Sequence, residues 1–376
     1  MGLEEINSFK KSIYDSNTFC VYKEKIFDSF INTGFPNKKI EGWKYFDLRF
    51  KSKSFLEKEI SDCFINIEDL SVQNTAHDSY DCNLLFDDYF KPYEFIENEA
   101  VIDFNIACGN QIKIINVISS QKEPINIKIS NTGVNISLPR IIINLSDNVK
   151  AKINFINSFK DGFLNLLIEY NIGKNSELDI CRVNKSSSLM VETNLVYLKS
   201  KSSFNMNNLS IPNSSSRFQL FSNHIGENSF CSSKTISIPS NESNDDILID
   251  NIFKHSYCES ISGIRAILKE DAVCSFQSMI DVKNFVKGSR AEQDCKGFLI
   301  DDKATMNAKP QMRILNDDVV CKHGATVGSL NEEEIFYLCS KGIERKQAIN
   351  LILDGHINSY IGEDRFLKQF LPEEFR

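Results

Sequence analysis

Cysteine and histidine stand two residues apart in Cys321-Lys322-His323. Both side chains are ligands of iron and of iron–sulfur clusters. In an extended segment, positions two apart face the same side. Val319 and Val320, just before the pair, predict a strand end there. A cluster normally takes four protein ligands, so two suffice only if a second chain supplies the rest or binding is transient. On the motif alone, the commoner outcome is a packed cysteine beside a hydrogen-bonded histidine. A second pair, His255 and Cys258, has looser His-x-x-Cys spacing and reads as structural. His77, His224 and His356 are isolated. Trp43, the only tryptophan, lies in Gly42-Trp43-Lys44-Tyr45 and reads as a domain-packing anchor.

Other chemistries find little support. The 11 cysteines include no Cys-x-x-Cys, and the closest two are Cys258 and Cys274. Local structural zinc sites draw ligands two to four residues apart, so none is expected. An odd count without an export signal predicts reduced thiols, most of them small buried hydrophobes. There is no Gly-rich phosphate loop ending in Lys and Ser or Thr, no Gly-x-Ser-x-Gly and no His-Glu-x-x-His. Carboxylates are plentiful, but no spacing singles out an acid/base pair, and a solvated face is the expected home of each. The net charge of −8 argues against nucleic acid and anionic membrane surfaces as partners. No apolar run approaches the ~20 residues of a membrane span. Residues 1–11 carry Glu4 and Glu5 and lack a signal-peptide apolar core, so a cytoplasmic or organellar-stroma (plastid) location is expected.

The elements that must position these residues fall into three zones. A chain of 376 residues exceeds one compact core but suits a stack in which each layer touches only its neighbours. Residues 1–99 read as a small, mostly helical N-terminal domain. Leu3, Ile6, Phe9, Ile13 and Tyr14 recur at helical spacing, and Val21, Ile26, Phe27 and Phe30 predict a second helix ended by Gly34 and Pro36. An aromatic and acidic stretch follows at 84–95. Residues 100–320 change character, with short β-branched and aromatic runs at 112–118, 125–129, 134–138, 140–145, 151–155, 164–170, 178–183 and 191–196. Ala151, Ile153 and Phe155 alternate with Lys152 and Asn154, as a half-buried strand requires. No propeller-like repeat is visible. Asn tolerates the left-handed corners of a parallel β-helix, but the pattern alone leaves that fold and a pair of sandwiches open. Residues 321–376 read as helical. Asn331 is the expected N-cap, Glu334 takes the capping-box position, and Gly342 ends the helix. A second helix is expected over 344–354, closed by Gly355. Its apolar surface suits either packing on the β-body or docking of another protein.

The run Cys321-Lys322-His323-Gly324-Ala325-Thr326-Val327-Gly328, continued by Leu330, Glu332 to Glu334, Ile335-Phe336-Tyr337-Leu338 and Gly342-Ile343, resembles the signature of the SufB/SufD family. Lys309-Pro310-Gln311, Ile314 and Asp317-Asp318-Val319 resemble its approach. Glu41-Gly42-Trp43-Lys44-Tyr45 with Asp47-Leu48 is similar to a Trp-Lys-Tyr element of the SufD members. Gly324 after the histidine, where SufB members carry Glu, and the length also favour the SufD side. The close match covers 304–355, and the middle zone matches only in character. The resemblance implies a mainly β protein: a right-handed parallel β-helix core flanked by small N- and C-terminal α-helical domains. It implies a non-catalytic scaffold for iron–sulfur cluster assembly that pairs with a SufB-like chain and binds the SufC ATPase. His323 maps onto an interface histidine that helps hold a transient cluster, with no tightly bound cofactor, and Cys321 onto the neighbouring cysteine. Phe336, Tyr337, Leu338 and Ile343 map onto the unit facing SufC. Cys258 departs from the family's usual Pro, Cys295 and Cys339 match no family feature, and Gln293 matches a recurrent Gln without an evident role. Two other readings are a β-helix carbohydrate-active enzyme, disfavoured by scarce Arg, and a stand-alone iron or cluster carrier, which needs more ligands within one chain.

Overall fold

The computed structural model describes residues 21–55, 58–68, 73–76, 100–109, 111–131, 133–362 and 364–375. The helix expected around Leu3 to Tyr14 and the 84–95 stretch lie outside these residues. The first described helix, α1 (Val21–Thr33), ends at Gly34, whose φ of +66° suits a residue without a Cβ, and α2 (Leu48–Lys51) and α3 (Ala100–Cys108) follow it.

The body is a parallel β-solenoid of about 8 turns. Each turn gives one strand to each of two sheets, so strands alternate between them along the chain. The first turn is β3 (Ile112–Val117) and β4 (Ile125–Ser130). The last is β18 (Thr305–Ile314) and β19 (Val319–Gly328). Strand Arg140–Leu145 coincides with the run read from sequence, and the other runs fall within observed strands to within about two residues at most ends. The last strand continues eight residues past position 320, into the stretch read as helical.

Alternation decides which side chains enter the lumen. Leu164, Leu166, Ile168, Tyr170 and Ile172 point in from one sheet, and Leu178 and Ile180 from the other. Register partners one turn apart are separated by 26 residues at Leu164 and Met190 but by 32 at Val273 and Thr305. The unequal corner loops absorb this difference, which hides the repeat from any search at fixed period.

In six successive turns one corner is a left-handed residue. Asn148, Asn175, Lys201, Asn228, Tyr257 and Gly288 stack in a column at φ between +55° and +62°. Each N–H donates to a carbonyl of the next turn, from Asn148 to Lys174 through to Gly288 to Asp318. Asn leads because its side chain lowers the cost of this conformation. At Gly288 a Cβ would also lie 2.6 Å from the Tyr257 ring.

Each sheet's outer face is covered. Phe27, Phe30, Phe35, Trp43, Phe46 and Phe104 pack with Phe163, Leu167, Val191, Leu195 and Phe221 of the first sheet. Trp43 is buried and lies 3.8 Å over the Arg217 guanidinium, which pairs with Asp246 and donates to the Gly42 carbonyl. The tryptophan is thus the packing anchor expected of it. The other sheet is covered by three helices: α4 (Glu332–Ser340), α5 (Arg345–Ile361) and α6 (Arg365–Lys368). Ile335, Ala348, Leu353, Ile357 and Ile361 meet Cys181, Val183, Leu209, Ile236 and Ile267. Asn331 caps α4 through the Glu333 N–H, as expected. Gly355 does not close α5, which runs on to Gly362. A glycine inside a helix costs about 1 kcal/mol. Burial of Ile357 and Ile361 outweighs that cost.

The carboxylates depart most from the sequence reading. Glu169, Glu192, Asp245 and Asp246 are buried rather than solvated. Glu192 lies in the lumen and takes Arg182 at 2.6 Å, with Asn157 and Asn194 also donating to it. Asp245 accepts from Ser237 at 2.6 Å, and burial pushes its carboxyl above the usual range despite Ser237 and Ser210. A lumen built of alternating positions accepts charge where an opposite charge or hydroxyl enters beside it.

The open end of the solenoid and its Cys-x-His pair

β19 pairs on one side with β17 (Ser289–Leu299). Among the described residues, no strand lies on the other side of β18 or β19. The solenoid therefore ends on two unpaired edges. Such edges present free N–H and C=O groups that template pairing with another chain.

Register fixes what faces the lumen there. Ser289, Ala291, Gln293 and Cys295 of β17 are buried, while Arg290 and Glu292 between them are exposed. Val319 stands opposite Ser289, Cys321 opposite Ala291 and His323 opposite Gln293. Cys321 and His323 therefore share the lumen side of the last turn, as their spacing requires. With no further turn above, His323 is exposed and Cys321 half-buried. Val320 is 55% exposed, and Ile314, Leu315 and Val327 surround the end with more apolar surface.

Cys321 packs beside Met312 and Val319 against Phe253, Cys258, Ile280, Val282, Val286 and Ala291. Burial pushes its thiol up, partly offset by a backbone hydrogen bond at Ala291. The thiol is therefore protonated at neutral pH, and binding a metal would displace that proton. The His323 ring makes no hydrogen bond with the described residues and so has both nitrogens available. Among the described residues, no three Cys, His, Asp or Glu side chains group closely enough to hold a metal ion.

His255 and Cys258 form no site. His255 is exposed and Cys258 buried. Cys258 accepts from Ser229 at 3.2 Å and donates to the Gly226 carbonyl at 3.3 Å. It occupies a corner position held by Ser176, Ser202, Ser229 and Ser289 in other turns. Those serines likewise bond back to nearby carbonyls, Ser176 to Lys174 and Ser202 to Lys199.

The residues expected to face an ATPase divide in two. Phe336 is 74% and Tyr337 60% exposed, with exposed Leu351 on the next helix. Leu338 and Ile343 pack partly into the interface with the solenoid. The unit is held down by Asp364, which caps α6 and accepts from Cys181 at 3.0 Å and Lys152 at 3.1 Å. It is held also by Tyr360, whose ring lies 4.1 Å from the Arg265 guanidinium. Gly263 leaves room for that tyrosine, since a Cβ there would lie 2.5 Å from its hydroxyl.

Fold and site together define a parallel β-solenoid with helices on both outer faces and a Cys-x-His pair at an unpaired terminal turn. A family model described as the SufBD core domain of SUF-system FeS cluster assembly matches residues 127–356, and the chain belongs to that family. It is 34% identical over 89 residues to the iron–sulfur cluster assembly protein SufD of Escherichia coli, covering 24% of this chain and 21% of that one. It is 29% identical over 99 residues to SufB of Bacillus subtilis, covering 26% and 21%. A SufBD family protein of Synechocystis is 33% identical over 90 residues, covering 24% and 20%. The matched stretch thus spans about a fifth of the length of each relative. No helix among the described residues is long and apolar enough to cross a membrane.

Proposed function

We propose that this chain is a SufD-like, non-catalytic scaffold of iron–sulfur cluster assembly, joined through its open end to a SufB-like scaffold. The observation that carries the reading is the placement of Cys321 and His323 on the lumen side of an unpaired terminal strand. An edge that needs a partner and a ligand pair that needs further ligands occur at one place. A second scaffold meets both needs, and a transient cluster held between the two chains is cargo rather than a resident cofactor. Gly324 supports the SufD side of the family. Nothing lies within 4 Å of a Cβ built there, so packing does not demand glycine. The Glu of SufB members would fit, and its absence is a chemical difference.

The helical unit is the docking surface for a SufC-like ATPase in this reading. Its buried half anchors it to the solenoid, while Phe336 and Tyr337 offer an aromatic surface of the kind that anchors interfaces. Assembly takes place in the cytoplasm, or in the plastid stroma of an organellar homologue.

The test is co-expression with SufB-like and SufC-like chains and the mass of the purified complex. One copy of each scaffold with two ATPase chains is expected. In that complex, His323→Ala should lower iron and sulfide content while the chain stays folded and ATPase-bound. Unchanged content removes the ligand role. Phe336→Ala with Tyr337→Ala should release the ATPase, and retained ATPase moves the docking surface elsewhere.

A further inference from the structure

Gln293 is almost fully buried, at 1% exposed, one turn below His323. Its Nε2 donates to the Gln311 carbonyl of β18 at 3.3 Å. That bond fixes which end of the amide carries nitrogen. Its Oε1 is left buried without a donor. A buried carbonyl without a donor is costly and calls for an explanation.

Register partners one turn apart repeatedly hydrogen-bond side chain to side chain, in the lumen from Arg182 to Asn208 at 2.6 Å and from Asn208 to Thr235 at 3.3 Å, and more often on the outer faces of the sheets. Asn144 donates to Asn116 and Asn171 to Asn144, both at 2.8 Å. Asn154 donates to Asn126 at 2.9 Å, Asn205 to Asp179 at 2.8 Å and Thr193 to Gln219 at 3.1 Å. Stacked strands lie ~4.8 Å apart, so a polar group one turn above is the natural partner. For Gln293 that neighbour is His323.

We infer that Gln293 is a positioning residue: its Oε1 accepts a ring N–H of His323 when the imidazole turns over the lumen, leaving the other ring nitrogen to bind iron. This rests on the ligand role given to His323 above. Metal-binding histidines commonly donate their second nitrogen to such an acceptor, which fixes the tautomer and the ring plane. Gln293 also explains why the histidine faces a polar lumen position: Ser233 and Ser262 continue its column inward.

The test compares Gln293→Leu with Gln293→Glu. Both remove the bond to Gln311, but only glutamate keeps an acceptor beside the ring. In the full chain with 15N-labelled histidine, His323 should show a ring N–H signal protected from exchange with water. Gln293→Leu should abolish it and Gln293→Glu should retain it. In the complex, Gln293→Leu should lower iron content about tenfold or more, with recovery in Gln293→Glu. A protected signal in Gln293→Leu, or its loss in both variants, overturns the inference. His323→Ala separates this from the earlier reading. Unchanged iron in His323→Ala overturns the ligand role. Lowered iron in His323→Ala with normal iron in Gln293→Leu overturns only the positioning role.

Discussion

The two ends of the solenoid are built to opposite rules. At the first turn both edges are covered: β1 (Phe64–Glu68) pairs antiparallel with β4, and β2 (Gln73–Ala76) pairs antiparallel with β3. The lumen there is lined with Ile115, Ile125, Ile127, Ile141 and Ile143. At the last turn no strand among the described residues covers either edge, and Cys321 and His323 stand where the first end has isoleucine. Between them the lumen turns polar around Arg182, Glu192 and Asp245. One end is finished as a core, and the other leaves an apolar rim, Cys321, His323 and backbone groups without a covering strand among the described residues.

This contrast can be broken by experiment. The largest effect is expected from charge at the rim. Val320→Lys with Val327→Lys should abolish pairing with the second scaffold while thermal unfolding of the isolated chain stays near wild type. A large drop in unfolding temperature would mean that the rim serves the chain's own stability. At the covered region the opposite is expected. Phe104→Ala should cost about 3–5 kcal/mol in denaturant unfolding and leave pairing intact once the chain is folded.

The polar middle gives the next test. Arg182→Met leaves Glu192 buried without its cation and should cost about 3–5 kcal/mol. Adding Glu192→Leu should recover most of that loss. If the double variant is no better than the single one, the pair's worth lies in its hydrogen bonds to Asn157, Asn194 and Asn208.

A smaller effect concerns pH. His224 is buried, stacked 4.6 Å from Phe253 and bonded to Ser229, and burial pushes it down to about 3. Above pH ~6.5 the imidazole is neutral in both folded and unfolded chains. As pH falls from there toward 3, the unfolded chain takes up the proton and the folded one does not, so stability declines. Between pH 7 and 5 this should amount to about 2 kcal/mol. His224→Phe should remove that part of the slope, and an identical slope in both proteins would place the titration elsewhere. The smallest effect is at the helical unit, where Asn331→Ala should cost about 1 kcal/mol and slightly weaken ATPase binding.

The strands were legible because alternation is local: Ala151, Ile153 and Phe155 declare their face without help from the rest of the chain. The solenoid itself was not, because turns of 26 to 32 residues blur the period. Its identification came through the resemblance around Cys321 and His323. Buried Glu192 and Asp245 were misplaced because a partner one or two strands away decides whether a carboxylate can enter a core. The inward face did carry a signal, since Glu192 alternates in step with Met190, Asn194 and Val196. Gly355 misled for the reverse reason, since its neighbours' packing overrode its own preference. The openness of the last turn could not be read at all, because an edge is defined by what is absent above it.

The left-handed column running from Asn148 to Gly288 has a consequence for how the chain is made. Each corner residue donates its N–H to the turn that follows it, so every finished turn presents a template for the next. The covered end is synthesised before the bare one. The coil can therefore be laid down in the order in which it leaves the ribosome, one turn at a time, with no wait for distant sequence. The helices α4 to α6 leave the ribosome after the bare end and close over turns already laid down.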